Sequence, residues 1–197
     1  MANIELLRKN LEANGWKTSC FDTEEEVVAY LNEQLDGTTV GFGGSETTWN
    51  MGLYQSLGEH NQCLWVRMGD DTVAAKDAPN YICSANGVAE TGELVNIDGN
   101  GNRLAATLYG KEKLFYIIGE NKITPDLHSA IHRARNIAGP LNARRLNRKT
   151  PCAMGKEIKC YNCKSPERIC AAMVIHWQPP SSVQHGEVII VRRDLGY

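Results

Sequence analysis

The order of elements along the chain predicts an α/β protein with a mostly parallel sheet and helices on both of its faces. Short runs rich in Val, Ile, Phe and Tyr alternate with segments whose apolar residues recur at helical spacing. Two glycine-rich segments follow apolar runs, as loops at the carboxyl ends of parallel strands do. The length, 197 residues, suits one domain with room for a sizeable core.

Taken in order, Ile4, Leu7 and Leu11 mark a first helix that Gly15 stops. Residues 16–21 read as a strand. Asp22 and Thr23 offer a cap to a second helix, whose apolar face is Val27, Val28, Tyr30, Leu31 and Leu35 and which Gly37 ends. Residues 38–42 form a strand, 45–57 one helix and 63–68 a further strand. The polar stretch 69–79 is a loop or short helix, and 81–84 is a buried strand. A helix begins near Leu104, and residues 113–119 are a clear strand. Thr124-Pro125 opens a helix to residue 138, with Pro at its first position, and Pro140 interrupts or kinks the pattern. Residues 173–177 and 187–191 are the last strands. Gln178-Pro-Pro-Ser-Ser between them makes a terminal β-hairpin the simplest reading. The chain thus divides into an α/β core, residues 1–150, and a cysteine segment with the hairpin, residues 151–197, within a single domain.

Net charge is −2, which gives no basic surface for nucleic acid. The first residues lack the apolar stretch of a signal peptide, and no window reaches the length of a membrane span, so a cytoplasmic protein is expected. Seven cysteines, an odd number without a secretory signal, argue against a disulfide framework.

The first candidate site is Val40-Gly-Phe-Gly-Gly-Ser-Glu-Thr. Gly41, Gly43 and Gly44 allow positive φ and close ligand approach, while Ser45 and Thr47 can cap the next helix or reach a ligand. A helix start there would favour a phosphate or carboxylate. It is not a Walker loop, since no Gly-Lys-Ser/Thr follows, nor a clean dinucleotide fingerprint, since Glu46 stands where a third Gly belongs; a capped helix without a ligand is the alternative reading. The second candidate is residues 85–103, where Asn86, Thr91, Asn96, Asn100, Asn102 and Arg103 supply donors. Arg103 suits bidentate recognition of a carboxylate or phosphate, and Glu90 is the acid placed to serve as base or nucleophile. If the two preceding strands are close in the sheet, both segments frame one cleft; otherwise they are turns.

The third feature is Cys152, Cys160, Cys163 and Cys170, spaced C-x7-C-x2-C-x6-C. Four thiolates this close can surround Zn²⁺ or an iron–sulfur cluster. Lys156, Lys159, Lys164 and Arg168 among them would offset the charge. Reduced structural thiols or a redox CxxC pair are the alternatives.

Gly-Phe-Gly-Gly-Ser-Glu-Thr, the run Ser84 to Arg103, Pro-Leu-Asn-Ala-Arg-Arg-Leu and Thr-Pro-Cys-Ala resemble the LUD (lactate utilisation) domain family over nearly the whole chain. The resemblance implies a Rossmann-like fold related to ribose-5-phosphate isomerase (RpiA), the glucosamine-phosphate isomerases (NagB) and the CoA transferases. It also implies an association with bacterial oxidation of L-lactate to pyruvate beside iron–sulfur partner proteins. The glycine turn Gly41 to Thr47 corresponds to the family's ligand-facing loop. Asn86 stands where related methylthioribose-phosphate isomerases carry a catalytic Asp, and an Asn cannot act as a base. Glu90 is comparable to the catalytic Glu of CoA transferases. The four-cysteine tail is similar to that of one subset of short members.

Three functions follow as expectations. One is a redox-linked subunit or enzyme of 2-hydroxy-acid metabolism, with a small carboxylate or phosphorylated ligand in the cleft and an iron–sulfur cluster on the cysteines. A second is an isomerase or transferase for sugar phosphates or CoA esters, using Glu90 and structural zinc. The third is a non-enzymatic sensing or scaffold subunit.

Overall fold

The computed structural model describes residues 2–197. Its strands are β1 (Lys17–Phe21), β2 (Thr39–Phe42), β3 (Gln62–Trp65), β4 (Asn80–Cys83), β5 (Gly87–Ala89), β6 (Leu94–Asp98), β7 (Lys113–Gly119), β8 (Ile123–Thr124), β9 (Ala172–His176) and β10 (His185–Val191). Six form an all-parallel sheet in the order β1-β10-β7-β4-β2-β3, and four form a second, mixed sheet in the order β8-β5-β6-β9. The helices are α1 (Ile4–Ala13), α2 (Glu24–Gln34), α3 (Glu46–Asn50), α4 (Leu53–Leu57), α5 (Thr72–Asp77), α6 (Asn102–Leu108), α7 (Leu127–Arg133), α8 (Gly139–Arg145) and α9 (Pro151–Met154). Among the described residues no helix is long and apolar enough to cross a membrane.

The central strands are apolar on both faces because both faces are covered. In β7, Leu114, Tyr116 and Ile118 join Leu7 and Leu11 of α1 in one core, while Phe115 and Ile117 join Val27 and Leu31 of α2 in the other. Local signals agree with these positions. Thr23 and Glu26 close a capping box at the start of α2, each side chain bonding the other's backbone N–H. A third, smaller core sets Ala89 and Val95 of the second sheet against Ala130 of α7 and Ala134.

Three expectations are corrected. The last two strands form no hairpin: β9 pairs antiparallel with β6 in the small sheet, and β10 is inserted between β1 and β7 in the large one. Residues 151–197 therefore complete both sheets. The segment 45–57 is not one helix, since Gly52, at φ +68°, separates α3 from α4. Finally, Pro125 precedes the cap of α7; Asp126 caps it by accepting the Ser129 N–H at 2.7 Å. A π-helical turn, Ala134–Ala138, then links α7 to α8, and Pro140 lies in the first turn of α8 without breaking the path.

His176 ties β9 to the large core. Its ring lies edge-on to Trp16 and Tyr116, and its Nε2 is 3.2 Å from Thr107 Oγ1. Burial pushes its pKa down to about 4, against about 6.5 in an unfolded chain. The neutral ring thus supports the fold above the unfolded value, and that support is lost as pH falls from about 6.5 towards 4, up to about 3 kcal/mol in all. Urea unfolding of the wild type across this range is expected to show the loss, and His176→Gln a shallower dependence.

Candidate functional site

The carboxyl ends of β2, β4 and β7, three adjacent strands, open into a cleft of about 430 Å³. Its walls come from the loop after β2 (Gly44, Ser45, Thr47), the end of β4 (Ser84, Asn86), the return from β6 (residues 97–100, Asn102 and Arg103) and α8 (Asn142, Arg145). The two glycine-rich segments do frame one space, because β2 and β4 are hydrogen-bonded neighbours. Parallel α/β sheets bind ligands at this end.

Within the glycine loop the roles divide. Gly41 lies in β2, where a Cβ would sit 2.0 Å from the Ala75 carbonyl oxygen, so it serves the packing of α5 and not the cleft. Gly43 is covered by the Arg103 side chain, whose Cδ would be 3.0 Å from a Cβ there. Gly44 faces open space and lines the cleft. Ser45 caps α3 by accepting the Thr48 N–H at 3.2 Å. At five residues, α3 is too short to offer the expected helix-terminus anion site.

Arg103 joins the two loops. Its Nη1 donates to Gly44 O at 3.1 Å and its Nη2 to Ile97 O at 2.6 Å, with Asp98 Oδ2 4.0 Å from Nε. Asn86 Oδ1 accepts the Ile97 N–H at 2.7 Å, and Asn102 also lines the cleft. Arg67, Arg145 and Arg148 bring the basic side chains, with Arg103 and Lys122, to five against the carboxylates of Glu46 and Asp98. Glu46 is engaged by Arg67 at 2.6 Å and Arg145 at 3.2 Å. The space is thus cationic and lined with hydroxyls and amides, a setting for a small anion.

The structure separates other expected residues from the cleft. Residues 87–98 form an antiparallel hairpin with Glu90 and Thr91 at its far tip. The Glu90 carboxylate accepts the Asn3 N–H at 2.7 Å at the start of α1, and the Thr91 hydroxyl bonds Glu93. Asn96 is buried on the inner side of β6, and neither end of its amide has a hydrogen-bond partner among the described residues.

One residue in the cleft carries no sequence motif. Lys122, 3% exposed, donates to Thr47 Oγ1 at 2.8 Å and Ser84 Oγ at 2.7 Å. Burial, then the nearby Arg133 and Arg103, bring its pKa down to about 7. Its only advance signal is position, three residues beyond the central strand at the ligand-binding end of the sheet.

Cys152, Cys160, Cys163 and Cys170 all line a second cavity, of about 270 Å³. Cys152 is on α9, and the other three are on the irregular chain leading to β9. Asn162, at φ +46°, turns the chain between Cys160 and Cys163. Cys160 Sγ faces the Asn162 N–H at 3.4 Å and Arg135 Nη2 at 3.7 Å; Cys170 Sγ faces Arg168 Nε at 3.1 Å. Arg135 and Asn136 reach Cys160 from the π turn, a geometry that recurs at functional sites. Arg168 meets the expectation of a cation beside the thiols; Lys159 pairs instead with Glu157. All four cysteines are free and partly exposed. Among the described residues no three His, Cys, Asp or Glu are grouped to hold a metal ion. Cys170, Ile169, Ile97, Ala134 and Gly139 line both cavities, so the two share a wall.

Residues 4–190 match the LUD domain family. A crystal structure of a DUF162 family protein from Deinococcus radiodurans has the same fold, with a TM-score of 0.56 at 11% identity over 95% of each chain. No curated relative matches.

Proposed function

The chain belongs to the LUD domain family, and on that premise we propose that it is a redox-linked protein of lactate or related 2-hydroxy-acid oxidation. The cleft holds a small carboxylate, and Cys152, Cys160, Cys163 and Cys170 hold an iron–sulfur cluster. The observation that supports this best is the shared wall: Cys170 borders both the thiol-lined cavity and the cationic cleft.

The residues fit such a group in two respects. Four thiols line one cavity of about 270 Å³, which leaves room among them for a polynuclear cluster. Backbone and guanidinium N–H groups face the sulfurs of Cys160 and Cys170, as donors around thiolate-held clusters do. When bound, a cluster supplies one-electron transfer. The chain's own part is to bind and orient the ligand. Arg103 and Arg145 attract its carboxylate, Asn86 and Asn102 offer amide partners to its other oxygens, and Ile97 and Ile169 separate it from the thiol cavity.

The isomerase or transferase reading asks for a carboxylate base in the cleft. Glu90 is bonded to the start of α1, and the cleft's own Glu46 and Asp98 are engaged by arginines and backbone N–H groups. The structure lends that reading less support.

Protein purified without oxygen is expected to contain iron and sulfide in equal amounts, with a broad absorption near 400 nm, roughly where thiolate-held clusters absorb. Cys163→Ser should lose both. Zinc alone, or no metal, would overturn the redox reading.

A further inference from the structure

Lys122 is a buried amine to which the cleft's role so far assigns no task. It follows β7 on a single 3₁₀ turn, Glu120–Lys122, in the middle of the large sheet. Its two hydroxyl partners, Thr47 and Ser84, stand beyond the ends of β2 and β4, so Nζ ties three adjacent strand ends together at the floor of the cleft. Thr47 Oγ1 in turn donates to Leu195 O at 3.4 Å, which leaves it as an acceptor for the amine.

A lysine this deep ordinarily has a carboxylate beside it. Among the described residues none pairs with Lys122. The charged and titratable groups that face it are Arg133 of α7 and Arg103 of α6, both repulsive to an ammonium, and the buried Cys83 thiol of β4. Arg133 is itself occupied, donating to Asn121 O at 2.8 Å and Asn86 O at 2.6 Å. Two of the three positions on Nζ are occupied by hydrogens given to hydroxyls. The third carries a hydrogen in the ammonium and a lone pair in the amine, and it has no hydrogen-bond partner among the described residues.

We propose that Lys122 is the proton-exchanging group of this cleft. As a small carboxylate anion binds, the Nζ lone pair takes one proton from solvent, and the anion supplies the counter-charge that the fold withholds. The balance is one anion and one proton bound together, with no other bond made or broken. The low pKa of the free amine, about 7, makes the exchange effective near neutrality. A lysine so poised is also the type that serves as acid or base in catalysis.

This inference rests on the anion-cleft reading above, and two measurements separate their failures. The first is calorimetric titration with L-lactate and with pyruvate, both anionic throughout, in two buffers of different ionisation enthalpy. Wild-type protein should take up almost no protons at about pH 6 and close to one per anion at about pH 8.5. Lys122→Gln keeps a donor for the hydroxyls without titrating; it should bind roughly tenfold more weakly and with no uptake. Binding by the wild type without uptake, or equal uptake by the variant, overturns the inference and leaves the anion cleft standing. The second is the pH titration of the Lys122 Cε resonance by NMR, assigned by its loss in Lys122→Met. A midpoint near 7 is expected; one above about 9, in the range of ordinary lysines, overturns the inference without any ligand. If neither anion nor sulfate gives heat, the cleft reading fails and the coupling with it, whatever the midpoint.

Discussion

Gly41→Ala is expected to cost about 3 kcal/mol of stability or more, the upper end of what an overfilled core position costs. The reason is backbone, not ligand. Gly41 pairs with Tyr81 on one side and Leu64 on the other, so it cannot move without disturbing two ladders. Above it passes α5, with the Ala75 carbonyl oxygen 2.0 Å from the site of a Cβ and the Tyr81 ring 2.9 Å away. Neither is the free end of a flexible side chain. A glycine inside a strand marks such an approach of one backbone to another. Gly44→Ala is the control: nothing lies within 4 Å of its Cβ site and its φ is not positive, so stability should hold or rise slightly. Urea unfolding of both variants checks the contrast. Equal effects would mean that the loop acts as one ligand-facing unit, as its sequence suggests.

That contrast bears on how much of this protein could be read in advance. The alternation of apolar runs and amphipathic segments was sufficient for the α/β class, because a strand buried on both faces is written in consecutive residues. The same rule applies to β10. Val188-Ile-Ile-Val is apolar without alternation, the mark of a central parallel strand, whereas β9 keeps Ala172 and Met173 exposed. The proline-rich link between them suggested a hairpin on local grounds, but sheet placement was decided by burial. In the segment 85–103, turn residues concealed a strand pair. Once β5 and β6 form, Asn86 and the run from Ile97 to Arg103 meet at the open end, and Glu90 is carried off by about 13 Å, four residues at strand rise. Proximity in sequence had joined residues that the hairpin separates. Lys122 was illegible for the opposite reason. One lysine after an apolar strand has no pattern, and only its depth, its two hydroxyl partners and the missing carboxylate give it meaning.

Arg103→Ala should have the largest effect on binding, weakening small carboxylates by about a hundredfold, as expected when a charge-assisted partner of an anion is removed. The guanidinium has five N–H groups; Gly44 O and Ile97 O accept from two, and others are left for a ligand. The side chain also lies across Gly43 and so holds the loop after β2 to the strand end at Ile97. Loss of the side chain removes both the charge and this clasp, and a further stability loss of about 2 kcal/mol is expected from two bonds to a charged donor. Arg103→Lys separates the two effects. It keeps the charge, but a single ammonium cannot reproduce the fork that spans the two carbonyls. Its anion affinity should fall less than in the alanine variant, while amide hydrogen exchange quickens in residues 43–45 and 97–99 in both. Calorimetry with L-lactate and pyruvate reads the first quantity and exchange mass spectrometry the second. If Arg103→Ala left affinity unchanged while the exchange quickened, Arg103 would be a clasp alone. Anion binding would then belong to Lys122 and Arg145, deeper in and across the same cleft.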